Sequence, residues 1–248
     1  MAMDAAATSA VLVIGNEVLS GRTQDANLGF LAARLADLGI PVVEARVVPD
    51  EEAVIVEAVN ALRARVTYVF TTGGIGPTHD DITAAAIAKA FGVPVVRDPE
   101  AERRLRVHYG NGFVNAARLK MAEVPEGAAL IDNPVSTAPG FRIGNVFVLA
   151  GVPAIARAMF DALAPGLAGG PPVVSRTVPC SIPEGEFAAA LTDVQSHYAG
   201  VSIGSYPYFR AGKVGVSLVI RGTDLQAVDR AAAEVEDMVR SLGGEPLV

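Results

Sequence analysis

Three apolar runs rich in β-branched residues, 10–14, 42–48 and 66–70, alternate with stretches whose aliphatic residues recur at helical spacing. Leu28, Leu31, Leu35 and Leu38 share one face before Gly39 stops the first helix; Ile55, Ala58, Val59 and Leu62 share a face of the second, which Asp50 is placed to cap. Strands that alternate with helices require crossover connections, so the pattern predicts an α/β fold: a doubly wound, mostly parallel sheet with helices on both faces. In such sheets ligands collect beyond the carboxyl ends of the strands.

The third run leads into Thr71-Thr72-Gly73-Gly74-Ile75-Gly76-Pro77-Thr78-His79-Asp80-Asp81-Ile82-Thr83, followed by an Ala-rich helix over 82–91 that Gly92 ends. Glycines without Cβ let backbone N–H groups approach a ligand, and a helix N-terminus favours phosphate. Asp80 and Asp81 would repel that phosphate unless a divalent cation bridges them to it. The segment lacks the Gly-Lys-Ser/Thr of a Walker A loop and the GxGxxG of dinucleotide folds. Glu17, Asp50, Asp80 and Asp81 all fall at strand carboxyl ends, and four carboxylates at one rim call for a function or a metal to offset their repulsion. Taken singly, Asp50, Thr78 and Asp80 are also ordinary helix caps, and His79 reads equally as a general base or as a loop residue.

The same string resembles the molybdopterin-binding, MoaB/MogA-like superfamily, and within it the branch of the competence/damage-inducible protein CinA and the N-terminal domain of FAD synthase. Other blocks carry the resemblance: Gly15-Asn16-Glu17-Val18-Leu19-Ser20-Gly21 with Asp25-Ala26-Asn27, Pro49-Asp50-Glu51, and Asn133-Pro134-Val135-Ser136-Thr137-Ala138-Pro139-Gly140-Phe141. Asn16, Ala26 and Ser136 depart from the family's usual Asp, Thr and Gly. The resemblance implies a nucleotide or pterin ligand held by Gly15, Glu17, Thr72, Gly73, Gly74, Gly76, Thr78, Asn133, Ser136, Pro139 and Gly140. It implies catalysis by Asp50, Asp80, Asp81 and His79, with Asp50 and Asp81 holding Mg²⁺ against a pyrophosphate, and a homo-oligomer. The activity it implies is Mg²⁺-dependent hydrolysis of the phosphoanhydride of an ADP-ribose- or FAD-like cofactor. The alternatives on the same scaffold are AMP transfer to molybdopterin and non-catalytic binding of a pterin or nucleotide.

At 248 residues and 51% hydrophobic content the chain has enough apolar material for a large domain and a small one. The expected division is 1–166 for the first and 173–248 for the second, a βαββα α+β unit, with a Gly/Pro-rich linker over 166–172. A strand is expected over 93–96, a helix with mobile flanks within 111–127, and a hairpin turning at Gly144-Asn145. The single cysteine, Cys180, excludes an intrachain disulfide. The start of the chain has neither a basic leader nor a long apolar run, so a cytoplasmic protein with no membrane association is expected. A net charge of −7 argues against nucleic acid as a partner. Gly212-Lys213-Val214-Gly215 matches the GxxG of KH modules but lies between two predicted strands, where a hairpin turn is the better reading.

Overall fold

A computed structural model of the chain describes residues 7–110, 113–210 and 213–244. It contains two compact units, Met1–Gly170 and Pro171–Val248.

In the first unit β1 (Ser9–Ile14) leads through a single turn, α1 (Asn16–Leu19), to α2 (Asn27–Asp37), β2 (Val42–Val48), α3 (Glu52–Arg63), β3 (Tyr68–Thr72) and α4 (Thr83–Phe91). The chain then makes β4 (Val95–Arg97), α5 (Pro99–Tyr109), α6 (Ala116–Lys120), β5 (Glu123–Pro125), β6 (Ala129–Ile131), β7 (Gly140–Ile143), β8 (Val146–Leu149) and α7 (Pro153–Leu163). The six-stranded sheet runs β2-β1-β3-β8-β7-β6. The pairs from β2 to β8 are parallel, and the two beyond β8 are antiparallel.

β1 is buried along its whole length because successive side chains enter different cores. Leu12 and Ile14 pack with Ile55, Val59, Leu62 and Ile87 on the α3/α4 face. Val11 and Val13 pack with Leu31, Leu35, Phe70, Phe147 and Phe160 on the α2/α7 face. The predicted doubly wound sheet is therefore present, with helices on both sides.

Several boundaries differ from the sequence reading. Thr71 and Thr72 belong to β3 and are buried, since threonine is β-branched and fits a central strand as valine does. The run predicted over 93–96 forms β4 two residues later and does not join the main sheet. The place beside β3 is taken by β8, through Val69↔Val146, so β4 pairs antiparallel with β5 in a separate two-stranded sheet. Within 111–127 the structure has α6 and β5; residues 111–112 lie outside the described residues. The hairpin turn at Gly144-Asn145 is observed, with Ile143 opposite Val146.

The second unit consists of β9 (Val174–Cys180), α8 (Glu184–Ser196), β10 (Val201–Arg210), β11 (Lys213–Gly222) and α9 (Leu225–Ser241). Its antiparallel sheet, β10-β11-β9, buries Val178, Leu218 and Ile220 against Phe187, Val194 and Val235 of the helices. Of the GxxG segment, Gly212 lies outside the described residues, and 213–215 begin β11, with Lys213 opposite Arg210 in the hairpin. Among the described residues no helix is long and apolar enough to cross a membrane.

Each unit has its own hydrophobic cores, so each satisfies the usual condition for folding alone. A chain ending at Gly170 is expected to melt cooperatively and to bind nucleotide as the full chain does. Calorimetric melting and ligand titration of that shorter chain check it; a folded fragment that has lost binding would place part of the site in the second unit.

Candidate functional site

The carboxyl ends of β2, β1, β3 and β8 lie side by side, and the segments that leave them are cross-tied. Gly15 N–H donates to the Val48 carbonyl at 3.1 Å, and Gly73 N–H to the Leu149 carbonyl at 3.2 Å. Asp50, expected to cap the following helix, instead accepts the Asn16 N–H on Oδ2 at 2.8 Å, fixing the start of α1 beside the end of β2. Its other oxygen accepts no hydrogen bond among the described residues.

The glycine loop is shaped by backbone constraints. Gly73 has φ +103°, and a Cβ there would lie 2.1 Å from the Ile14 carbonyl oxygen, so only glycine lets the chain turn away flush against β1. Thr83, buried at the first position of α4, then holds the loop: its Oγ1 donates to the Gly73 carbonyl at 2.9 Å and its N–H to the Gly74 carbonyl at 3.0 Å. Thr83→Val keeps the shape but leaves that carbonyl unpaired, so we expect about 1–3 kcal/mol of lost stability, read by denaturant unfolding. No side chain caps α4, whose N-cap position is Ile82; the Thr83 N–H is taken by Gly74, which leaves the N–H groups of Ala84 and Ala85 in the first turn for a ligand.

Asp81 folds back over the loop. Its Oδ2 accepts the Thr78 N–H at 2.8 Å and the Thr78 hydroxyl at 2.5 Å, and a Cβ on Gly76 would fall 2.6 Å from the same oxygen. The Lys120 ammonium, a residue the sequence reading did not select, donates to the Thr78 carbonyl. Asp80 points outward. The nearby Thr78 hydroxyl, Asp80's own N–H and the charges of His79 and Lys120 keep its carboxyl below the usual range. The His79 side chain is 98% exposed, with Nδ1 4.0 Å from Asp80 Oδ1. Among the described residues no three Asp, Glu, His or Cys side chains come together as metal ligands. The four carboxylates expected at one rim thus do not gather among the described residues: Asp50 lies beyond the end of β2 and Asp81 beyond that of β3.

Asn133 was expected to face a ligand, yet the loop uses it internally. Its Oδ1 accepts the Val135 and Ser136 N–H groups, and its Nδ2 donates to Ser136 Oγ and the Ala138 carbonyl. This Asx-type closure shapes the loop and occupies both ends of the Asn133 amide, while Ser136 Oγ serves there as an acceptor. Gly140 is likewise structural: it lies in β7, where a Cβ would meet the Val148 carbonyl oxygen at 2.3 Å.

Two clefts flank the glycine loop. One is lined by Gly74, Gly76, Asp81, Lys120, Pro139 and Phe141, with the first turn of α4 at its side. The other is lined by Glu17, Asp25, Asn27, Thr72 and Gly151. Consecutive residues therefore divide between them, Thr72 facing one and Gly74–Gly76 the other. Asn27 and Lys120 carried too little local signal to be selected, since each acquires its role through partners far along the chain, Gly151 and Thr78.

This combination of sheet order, rim and glycine loop defines an α/β ligand-binding protein of the molybdopterin-binding type. Residues 10–169 match the family described as a probable molybdopterin binding domain, and the chain belongs to that family. Residues 172–243 match a second family, the middle domain of FAD synthase. A protein of Pyrobaculum arsenaticum is 39% identical over 84% of this chain and 82% of its own. A CinA-like protein of Syntrophus aciditrophicus is 34% identical over 91% of this chain, which spans 59% of that relative's length. The crystal structure of CinA, of unknown function, from Thermoplasma acidophilum superposes with a TM-score of 0.62 at 34% identity, covering 65% of this chain and 98% of that one.

Proposed function

We propose that this chain is a Mg²⁺-dependent hydrolase of the phosphoanhydride in a nucleotide cofactor of the ADP-ribose or FAD class. The observation that carries the reading is the pair of clefts joined through Thr72–Gly76. A two-ended ligand can place one end in each cleft and its pyrophosphate across the loop between them. The side of the loop that would meet phosphate has the uncapped N-terminal turn of α4 and Lys120, both suited to an anion.

The chemistry of the donors supports Mg²⁺: Asp50 and Asp81 each keep one carboxylate oxygen without a hydrogen bond among the described residues, and Mg²⁺ takes hard oxygen ligands from as few as one carboxylate, completing its shell with water and phosphate oxygens. Bound there, the ion would neutralise the pyrophosphate and polarise the phosphorus that water attacks. The role of orienting that water is assigned to Asp81, which lines the cleft and has one oxygen tied to Thr78.

The test is product analysis. ADP-ribose with Mg²⁺ should give AMP and ribose 5-phosphate, and FAD should give AMP and FMN. The family match to a molybdopterin binding domain favours a second reading, pterin binding with or without AMP transfer. Thermal shift separates the two, since a ligand at 100 times its dissociation constant adds about 2.7 kcal/mol. Stabilisation by molybdopterin but by neither dinucleotide would select the second reading.

A further inference from the structure

The second cleft holds two polar atoms that the fold buries and leaves without partners. Asn27 is 3% exposed and Thr72 1%, both line the cleft, and neither Asn27 Oδ1 nor Thr72 Oγ1 has a hydrogen-bond partner. The Asn27 amide is held in one orientation, because its Nδ2 donates to the Gly151 carbonyl at 2.8 Å. Oδ1 is therefore fixed as an acceptor beneath the wall of the cleft. Folding alone gains nothing from burying such atoms, and natural interiors rarely leave them unanswered unless a ligand or water meets them.

The chemistry of the lining defines what can meet them. Glu17 and Asp25 add carboxylates, Asp25 Oδ1 already accepting the Leu28 N–H at 2.8 Å. No Lys, Arg or His lines this cleft, so a phosphate has nothing to neutralise it there. The occupant must donate hydrogen bonds. Val13, Ile14, Val18 and Pro153 supply an apolar wall, which suits the carbon face of a sugar ring better than a hydrated ion.

We infer that this cleft reads the vicinal diol of a ribose. Asn27 Oδ1 accepts from one hydroxyl, and the Thr72 hydroxyl exchanges a hydrogen bond with the other. The inference rests on the nucleotide reading above and adds to it two specificity-determining residues and the part of the ligand they select. It also explains why the phosphate belongs on the other side of the loop.

The experiment compares AMP with 2′,3′-dideoxy-AMP by titration calorimetry at fixed ionic strength, in the wild-type chain and in Thr72→Val. Wild type should bind AMP at least about tenfold more tightly than the dideoxy analogue, since a site built to hydrogen-bond a hydroxyl is left unpaired by the ligand that lacks it. Thr72→Val should weaken AMP alone and bring the two affinities together. Because the hydroxyl it removes has no partner in the free protein, its Tm should be unchanged or higher, which a structural role for Thr72 would not give. Equal wild-type affinities for the two nucleotides would overturn the diol assignment while leaving the nucleotide reading intact. Absence of AMP and ADP-ribose binding would overturn both. A wild-type Tm raised by KCl or MgCl₂ alone, with the response lost in Thr72→Val, would make the cleft a cation site and overturn the inference.

Discussion

Asp81→Asn is expected to lower the rate of AMP release from ADP-ribose by at least about a hundredfold, the usual loss when a positioned acid or base is removed, while the protein stays folded. The amide oxygen of asparagine can still accept the Thr78 N–H and hydroxyl that the carboxylate accepts on Oδ2. What disappears is the negative charge of the carboxylate at the wall of the cleft. Stability should change little, because the side chain keeps its shape against Gly76. Steady-state rates and thermal melting measured on the same preparation decide the matter. A folded variant with wild-type turnover would remove Asp81 from the mechanism.

The second large effect is on metal dependence. On the proposed reading a diphosphate approaching the loop meets the carboxylate of Asp81, with that of Asp50 beyond the neighbouring strand end. At an effective dielectric of about 20, each like-charge pair at close range opposes binding by on the order of 4 kcal/mol before screening by salt and solvent. The N-terminus of α4 returns only about 0.3–1 kcal/mol, and Lys120 is a single cation already engaged with the Thr78 carbonyl. ADP-ribose affinity should therefore fall sharply in EDTA and recover with Mg²⁺ or Mn²⁺. In Asp80→Asn/Asp81→Asn the affinity should become nearly independent of metal, with no turnover. Equal affinity with and without Mg²⁺ in the wild-type chain would mean that the carboxylates face away from the phosphates.

The elements that could be read from the sequence are those whose information is local. Alternation of β-branched runs with helical spacing announces β1, β2 and β3 with their helices, and Gly144-Asn145 announces the β7–β8 turn. The sheet that β4 joins could not be read for a different reason: a run of valines and proline reports strand propensity but not a partner, and that is settled by β8 occupying the edge of β3. The glycine loop was legible because glycine marks backbone that other residues cannot adopt. Thr83 within the same segment was not distinguished from a helix start, although its hydroxyl fastens the loop. Asn133 illustrates the opposite error, since a polar residue in a Pro/Gly loop looks like a ligand contact and here closes its own turn. The rim carboxylates were grouped by topology alone, which places strand ends side by side without specifying how far side chains reach.

The change from parallel to antiparallel pairing at β8 bears on the order in which the site is built during folding. β6, β7 and β8 form a meander of neighbours, with Ile143 and Val146 separated by a two-residue turn. β3, in contrast, pairs Tyr68 with Ser9 and Val69 with Val146, so its partners lie 59 and 77 residues away along the chain. Closing such loops costs chain entropy before any ladder returns it, and the meander has no comparable cost. The loop carrying Gly73, whose N–H reaches β8 and whose Cα lies against β1, acquires its conformation only when both distant strands have docked. The glycine loop is therefore expected to reach its native shape only after the central strands have docked.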